Sequence, residues 1–191
     1  GYYAVTRVHE EVPGRCTPCA CPGAGLARAS AALHREAEAA SYPGTWEGRS
    51  AAVAAGFAGR AFAWRFRVPE GPVEWTDLFR GPTVGDPKTF GGDFIVAREG
   101  AGPSYQLAVV ADDAAMGITE VVRGNDLIPS TPRQILLYRA LGWDAPRFGH
   151  IPLVVGPDGR RLAKRDGSIK LATLREQGAD PEFPSAGEGG Q

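Results

Sequence analysis

Two short clusters of this chain carry side chains able to do chemistry. The first is Arg161-Leu162-Ala163-Lys164-Arg165-Asp166-Gly167, which follows the apolar run Ile151-Pro152-Leu153-Val154-Val155 and the turn Gly156-Pro157-Asp158-Gly159. A strand, a tight turn and a flexible basic segment place guanidinium and ammonium groups at a sheet edge, where they can neutralise charge developing on transferring phosphates. Taken alone, such a segment is more often a solvated hairpin tip, since Lys and Arg are the default surface residues. The second cluster is Cys16, Cys19 and Cys21, all within six positions. They are too close together and too odd in number for a disulfide framework, which points to metal or free thiols. Cys16-Thr17-Pro18-Cys19 has the two-residue gap common in zinc knuckles. The three histidines add nothing to either cluster: His9 precedes the cysteines, His34 sits on an expected surface helix and His150 precedes an expected strand, and each reads as solvated.

The elements that must position these groups can be read in order. Residues 1 to about 25 hold Pro13, Gly14, Pro18, Pro22 and Gly23 around the cysteines, which predicts a knuckle-like loop. Helices are expected over Leu26–Ala40, ended by Ser41-Tyr42-Pro43-Gly44, and over Arg49–Gly59. Alternating patterns predict strands over Ala61–Val68, Val73–Asp77 and Gly91–Arg98. Ser104–Ala111 suits a strand or a buried helix, and periodicity does not decide. Ile118–Gly124 reads as a strand, and Ser130-Thr131-Pro132 supplies an N-cap and an early proline for a helix reaching Leu141 and stopping at Gly142. A strand over Ile151–Val155 and an amphipathic helix over Ile169–Glu176 complete a layered α/β unit, with a disordered tail over 184–191.

At 191 residues, 43% of them hydrophobic and 23% charged, the chain suits one packed domain, or a domain with a small appendage. Lys plus Arg number 21 against 22 acidic residues, so no global field advertises a nucleic acid, and any RNA contact relies on local patches. The absence of an apolar run of about 18 residues and of a signal-peptide pattern sets the expectations of a cytoplasmic location and no membrane partner. The chain begins with Gly1-Tyr2 rather than Met, which sets the expectation of a true N-terminus upstream.

Several motifs in order carry a family resemblance across roughly Cys19 to Pro181. Tyr105 to Leu127, then Ser130-Thr131-Pro132-Arg133-Gln134, Pro152-Leu153-Val154 and Arg161-Leu162-Ala163-Lys164-Arg165 resemble the second half of the catalytic domain of glutamyl-type class I aminoacyl-tRNA synthetases. Within that family the chain is most similar to the short form that attaches glutamate to the queuosine base of tRNA(Asp) and lacks an anticodon-binding domain. The resemblance implies the downstream half of a Rossmann-type catalytic domain, with a cysteine-rich part over 1–60, a β-rich connective region over 61–103 and the catalytic half over 104–183. It implies L-glutamate, ATP and tRNA(Asp) as partners, and a monomer is expected.

Residue by residue, the resemblance puts Tyr105 and Arg123 at the positions that hold glutamate; Arg123 can grip a carboxylate bidentately and Tyr105 offers a hydroxyl. Lys164 matches the ATP-contacting lysine of the family's KMSKS segment, with Arg161 beside it on the phosphates; Arg161 replaces the first lysine of that motif and Ala163 its serine. Asp112 and Asp113 read as structural carboxylates. Cys19, Cys21 and Tyr42 resemble the short form's zinc-binding insertion, but Trp46 stands where the family has its last cysteine, leaving Cys16 as the candidate fourth ligand. The family's HIGH-type motif and the upstream arginine and acidic residue are absent. The expectation is an N-terminally truncated chain without glutamate-dependent pyrophosphate exchange of its own. The alternative is a non-catalytic relic that keeps a tRNA- or ligand-binding surface.

Overall fold

The structure is a computed structural model that describes residues 16–19, 62–98, 102–153 and 176. The chain divides into two units, Gly1–Pro152 and Leu153–Gln191, and of the second only Leu153 and Glu176 are described. The expected helices over 26–40 and 49–59, nearly all of that over 169–176 and the tail over 184–191 lie outside the described residues.

The first unit carries a four-stranded antiparallel sheet in the order β1 (Cys16–Cys19), β2 (Ala63–Phe66), β5 (Phe94–Arg98), β6 (Gly102–Pro103). Prolines occur only on its edge strands, as Pro18 in β1 and Pro103 in β6, where a missing N–H does not interrupt a central ladder. The expected knuckle over the cysteines thus contains a short strand, with Cys16 opposite Phe66 and Cys19 opposite Ala63. Asp93 braces the sheet from one end: its carbonyl accepts from Arg65 at 2.9 Å and its carboxylate accepts from the Val68 N–H at 2.8 Å.

β3 (Val73–Asp77) and β4 (Gly81–Gly85) form a separate hairpin around Leu78-Phe79-Arg80. The alternation of β3 appears as buried Val73 and Asp77 flanking exposed Glu74 and Thr76. β4 had no expectation: Pro82, Gly81 and Gly85 mask it, yet Gly81 at φ +72° supplies the left-handed residue that closes a three-residue hairpin loop.

The stretch left open between strand and helix is helical. Helix α1 (Tyr105–Ala115) buries Gln106, Leu107 and Val110, a spacing of one, three and four that only a helix can put on one side. It leads to β7 (Glu120–Gly124), a single 3₁₀ turn (Asn125–Leu127), helix α2 (Ser130–Ala140) and β8 (Arg147–Ile151). β7 and β8 pair in parallel, so β7-α2-β8 is a crossover unit of the expected α/β kind. The strand expected over Ile151–Val155 starts earlier: β8 ends at Ile151, before Pro152, which cannot donate to a ladder, while Val154 and Val155 are outside the described residues. Helix α2 stops where expected, with Gly142 at φ +67°.

Leu107, Val110, Leu137, Tyr138, Phe66 and Phe148 belong to one core that joins both helices, the antiparallel sheet and the parallel pair. Among the described residues no helix is long and apolar enough to cross a membrane.

Candidate functional site

In the β7–β8 pair, Val121 lies opposite Phe148 and Arg123 opposite His150. Residues two apart on a strand share a face, so these four point the same way, and that face is the buried one. Arg123 and His150 therefore come together near the carboxyl ends of two parallel strands, the edge at which open α/β sheets bind ligands.

The Arg123 guanidinium is oriented from three directions. Its Nε donates to His150 Nε2 at 3.1 Å, one terminal nitrogen to Gln134 Oε1 at 2.8 Å and the other to Thr131 Oγ1 at 2.7 Å. Its carbon lies 5.1 Å from the Phe148 ring centroid, within cation–π range. All three named acceptors are uncharged. Thr131 and Gln134 are three apart on α2 and so occupy one face of its first turn.

Behind Arg123 lies a second pair. His150 Nδ1 stands 2.5 Å from Asp77 Oδ2, and neither side chain has any solvent exposure. The other Asp77 oxygen accepts from the backbone N–H groups of Phe79, Arg80 and His150 at 3.1, 3.2 and 3.2 Å. Burial raises the Asp77 carboxyl, but the bonds from the His150 ring and from those backbone groups outweigh it and hold it down at about 2. Burial pushes the His150 pKa down, and the Arg123 and Arg80 charges reinforce that against the pull of Asp77. The pair is accordingly a carboxylate and a neutral imidazole. A neutral ring that donates at Nδ1 must accept at Nε2, where Arg123 and the Thr131 hydroxyl converge, the latter at 3.0 Å.

This corrects the reading of His150 as a solvated residue ahead of a strand: it is in β8 and 1% exposed. It also revises the opening of α2. The cap residue is Pro129, and no side-chain cap bond forms. The Ser130 hydroxyl instead accepts from Gln106 Nε2 at 2.7 Å, and Thr131 serves Arg123. That bond between Gln106 and Ser130 joins the first turns of α1 and α2, and Tyr105, adjacent to Gln106, begins α1 with 42% exposure.

Burial and the neighbouring Asp112 raise the Asp113 carboxyl, while Arg123 lowers it. Lys164 and Arg161 lie outside the described residues, as do Cys21 and Tyr42. Of the four candidate zinc ligands, Cys16 and Cys19 are described. Cys16 is a free buried thiol in the apolar core, pushed by burial up to about 12. Cys19, three residues away on β1, faces the opposite side of the strand from Cys16. Among the described residues no group of three or more His, Cys, Asp or Glu could hold a metal ion.

Of the residues named from sequence, Arg123 is thus held in a built arrangement and Tyr105 lies at the start of the adjoining helix; Thr131 and Gln134, quoted only within the helix opening, bond Arg123, as does His150, and Asp77 reaches it through His150.

The parallel β7-α2-β8 crossover is an α/β unit with an arginine near its strand ends, and comparison with known proteins gives the family. Residues 35–186 match the family "tRNA synthetases class I (E and Q), catalytic domain". The chain belongs to that family. It is 48% identical over 185 residues to a glutamyl-Q tRNA(Asp) synthetase of Symbiobacterium thermophilum, covering 94% of this chain and 55% of the relative. It is 46% identical to a protein of the same name from Geobacter sulfurreducens, covering 85% of this chain and 50% of that one. A glutamate–tRNA ligase of Aquifex aeolicus is 46% identical over 125 residues, covering 65% of this chain and 26% of the ligase. The crystal structure of a glutamate-tRNA synthetase from Elizabethkingia anophelis superposes with a TM-score of 0.68 at 25% identity, over 86% of this chain and 36% of that one. The chain thus spans about half the length of the glutamyl-Q relatives it matches.

Proposed function

We propose that this chain is the downstream part of the catalytic domain of a glutamyl-Q tRNA(Asp) synthetase, which activates L-glutamate with ATP and transfers it to the queuosine of tRNA(Asp). The observation that carries the reading is Arg123: a guanidinium held by Thr131, Gln134 and His150 at the carboxyl ends of parallel strands is pre-organised to grip a carboxylate. Matches of 46–48% identity over 85–94% of this chain to proteins named glutamyl-Q tRNA(Asp) synthetase support the queuosine acceptor, and a glutamate–tRNA ligase at 44% identity over 86% of the chain keeps the 3′ end of a tRNA as the second reading.

In this reading Arg123 holds the glutamate carboxylate and the Tyr105 hydroxyl hydrogen-bonds the same substrate. The carboxylate that reacts attacks the α-phosphorus of ATP and pyrophosphate leaves. Lys164, with Arg161, steadies charge on the phosphates and takes no covalent part. The protein works as a cytoplasmic monomer.

The test is glutamate-dependent exchange of pyrophosphate into ATP by the full-length protein, followed by glutamylation of tRNA(Asp) with and without queuosine. Activity that requires glutamate and queuosine supports the reading. Glutamylation of the 3′ end of tRNA(Glu) instead would move the protein to the ligase branch.

A further inference from the structure

We infer that Asp77 and His150 are positioning residues for Arg123: Asp77 holds His150 as the neutral Nδ1–H tautomer, so that Nε2 accepts the Arg123 Nε–H and sets the plane of the guanidinium. The geometry is specific. Asp77 Oδ2 is 2.5 Å from Nδ1, Nε2 is 3.1 Å from Arg123 Nε, and both members of the pair are buried. A carboxylate only accepts, so the ring proton must be at Nδ1, and Arg123 only donates, so Nε2 must carry the lone pair. Both ends of the imidazole thus specify the same tautomer. Protonation of the ring would replace that acceptor by a second donor aimed at a guanidinium. The charged groups around the ring are Asp77 from β3, Arg80 from the hairpin turn and Arg123 from β7; Thr131 from α2 adds an uncharged hydroxyl.

The consequence deepens the reading under "Proposed function" and rests on it for the ligand: the fork that meets the glutamate carboxylate is aimed by a residue that never touches glutamate. Two substitutions separate the halves of the relay. Asn at position 150 keeps a donor for Asp77 and removes the acceptor for Arg123, whereas Gln keeps an acceptor near the Nε2 position and gives up the link to Asp77.

The experiment is nitrogen-15 NMR of the full chain, in which only three histidines need assignment, together with exchange of the Arg123 Nε–H and glutamate titration. The expected result is a His150 ring with protonated Nδ1 and bare Nε2 at pH 7.5 and a slowly exchanging Arg123 Nε–H. His150→Asn should accelerate that exchange at least tenfold and weaken glutamate about tenfold, and His150→Gln should restore most of both. An Nε2–H tautomer or an imidazolium at pH 7.5 would overturn the inference, and so would equal protection of Arg123 Nε–H in wild type and His150→Asn. If the wild type shows the expected tautomer and protection but no glutamate affinity, the substrate reading fails while the positioning of Arg123 by the pair is supported.

Discussion

Asp77 and His150 are 73 residues apart in the chain and 2.5 Å apart in the fold, each without solvent exposure. One oxygen of Asp77 takes the histidine, while the other closes the β3–β4 turn through the N–H groups of Phe79 and Arg80. A single carboxylate therefore shapes the hairpin and joins it to the parallel strands.

Asp77→Ala should be among the most damaging changes in the described fold. It leaves the ring N–H and three backbone N–H groups short of an acceptor inside the protein, and about 3 kcal/mol of stability should go, by the scale for breaking a buried pair. Asp77→Asn keeps one carbonyl oxygen and should lose about 1–2 kcal/mol. Urea unfolding monitored by tryptophan fluorescence measures both; a loss below about 1 kcal/mol in the alanine variant would contradict the account.

The same pair predicts how stability depends on pH. Asp77 lies below its ordinary value of 3.8, at about 2, so its contribution is present above pH 3.8 and is lost as pH falls toward 2; the shift corresponds to about 2 kcal/mol. His150 lies below its ordinary value of 6.5, so the folded state binds its proton less readily than the unfolded chain. Its contribution is complete above pH 6.5 and declines as pH falls from there. Urea midpoints recorded from pH 8 to 3 should show a decline beginning below 6.5 that His150→Gln flattens. A midpoint that rises on acidification through pH 6 would reverse the assigned sign.

For Arg123, charge alone should not suffice. Arg123→Lys keeps the charge but cannot reach Thr131, Gln134 and His150 together, so under the proposed function its glutamate KM should rise about 10- to 100-fold, with Arg123→Ala at or beyond the upper end. Steady-state kinetics of the full-length protein give the values. Equal KM for wild type and the lysine variant would remove Arg123 from the carboxylate site.

Gly149 marks where the hairpin turn lies against β8. A methyl group there would stand 2.7 Å from Phe79 Cε2 and 3.2 Å from Leu78 Cβ. Gly149→Ala should destabilise by about 1–3 kcal/mol, the usual range for overpacking. Because Phe79 is 61% exposed, Phe79→Ala in the same chain should recover much of that loss. A double-mutant cycle by thermal unfolding tests the coupling, and additive losses would sever the two residues.

Cys16 should be inert in the folded protein. At 6% exposure and with its thiol pushed up to about 12, it offers almost no thiolate to a reagent near neutral pH. Peptide mapping after alkylation should find Cys16 modified in urea and unmodified in native buffer; native labelling within minutes would contradict its place in the core.

Much of the frame could be read from the residues because each element signals locally. Alternation marked β2, β3 and β5, and the apolar run before Gly124 marked β7. Where two periods fitted, as at Ser104–Ala111, packing decided: Leu107 and Val110 could both enter the core only from a helix. β4 stayed hidden because its glycines and proline score as loop, and its strand form comes from pairing with β3. The site divides in the same way. Arg123 was named through a motif, and Thr131 and Gln134 stood in the quoted helix opening, where the hydroxyl read as a cap. Asp77 and His150 gave no local sign, because their meaning is a contact across 73 residues that no window can hold.

That long span also sets an order of events. The β3–β4 hairpin and the first turn of α2 can form from neighbours in the chain, whereas the Asp77–His150 link must close a loop of many tens of residues and repays its entropy only once both ends are in place. The full set of Arg123 partners therefore depends on that closure, since Thr131 and Gln134 are near it in the chain whereas the Asp77-held His150 is not.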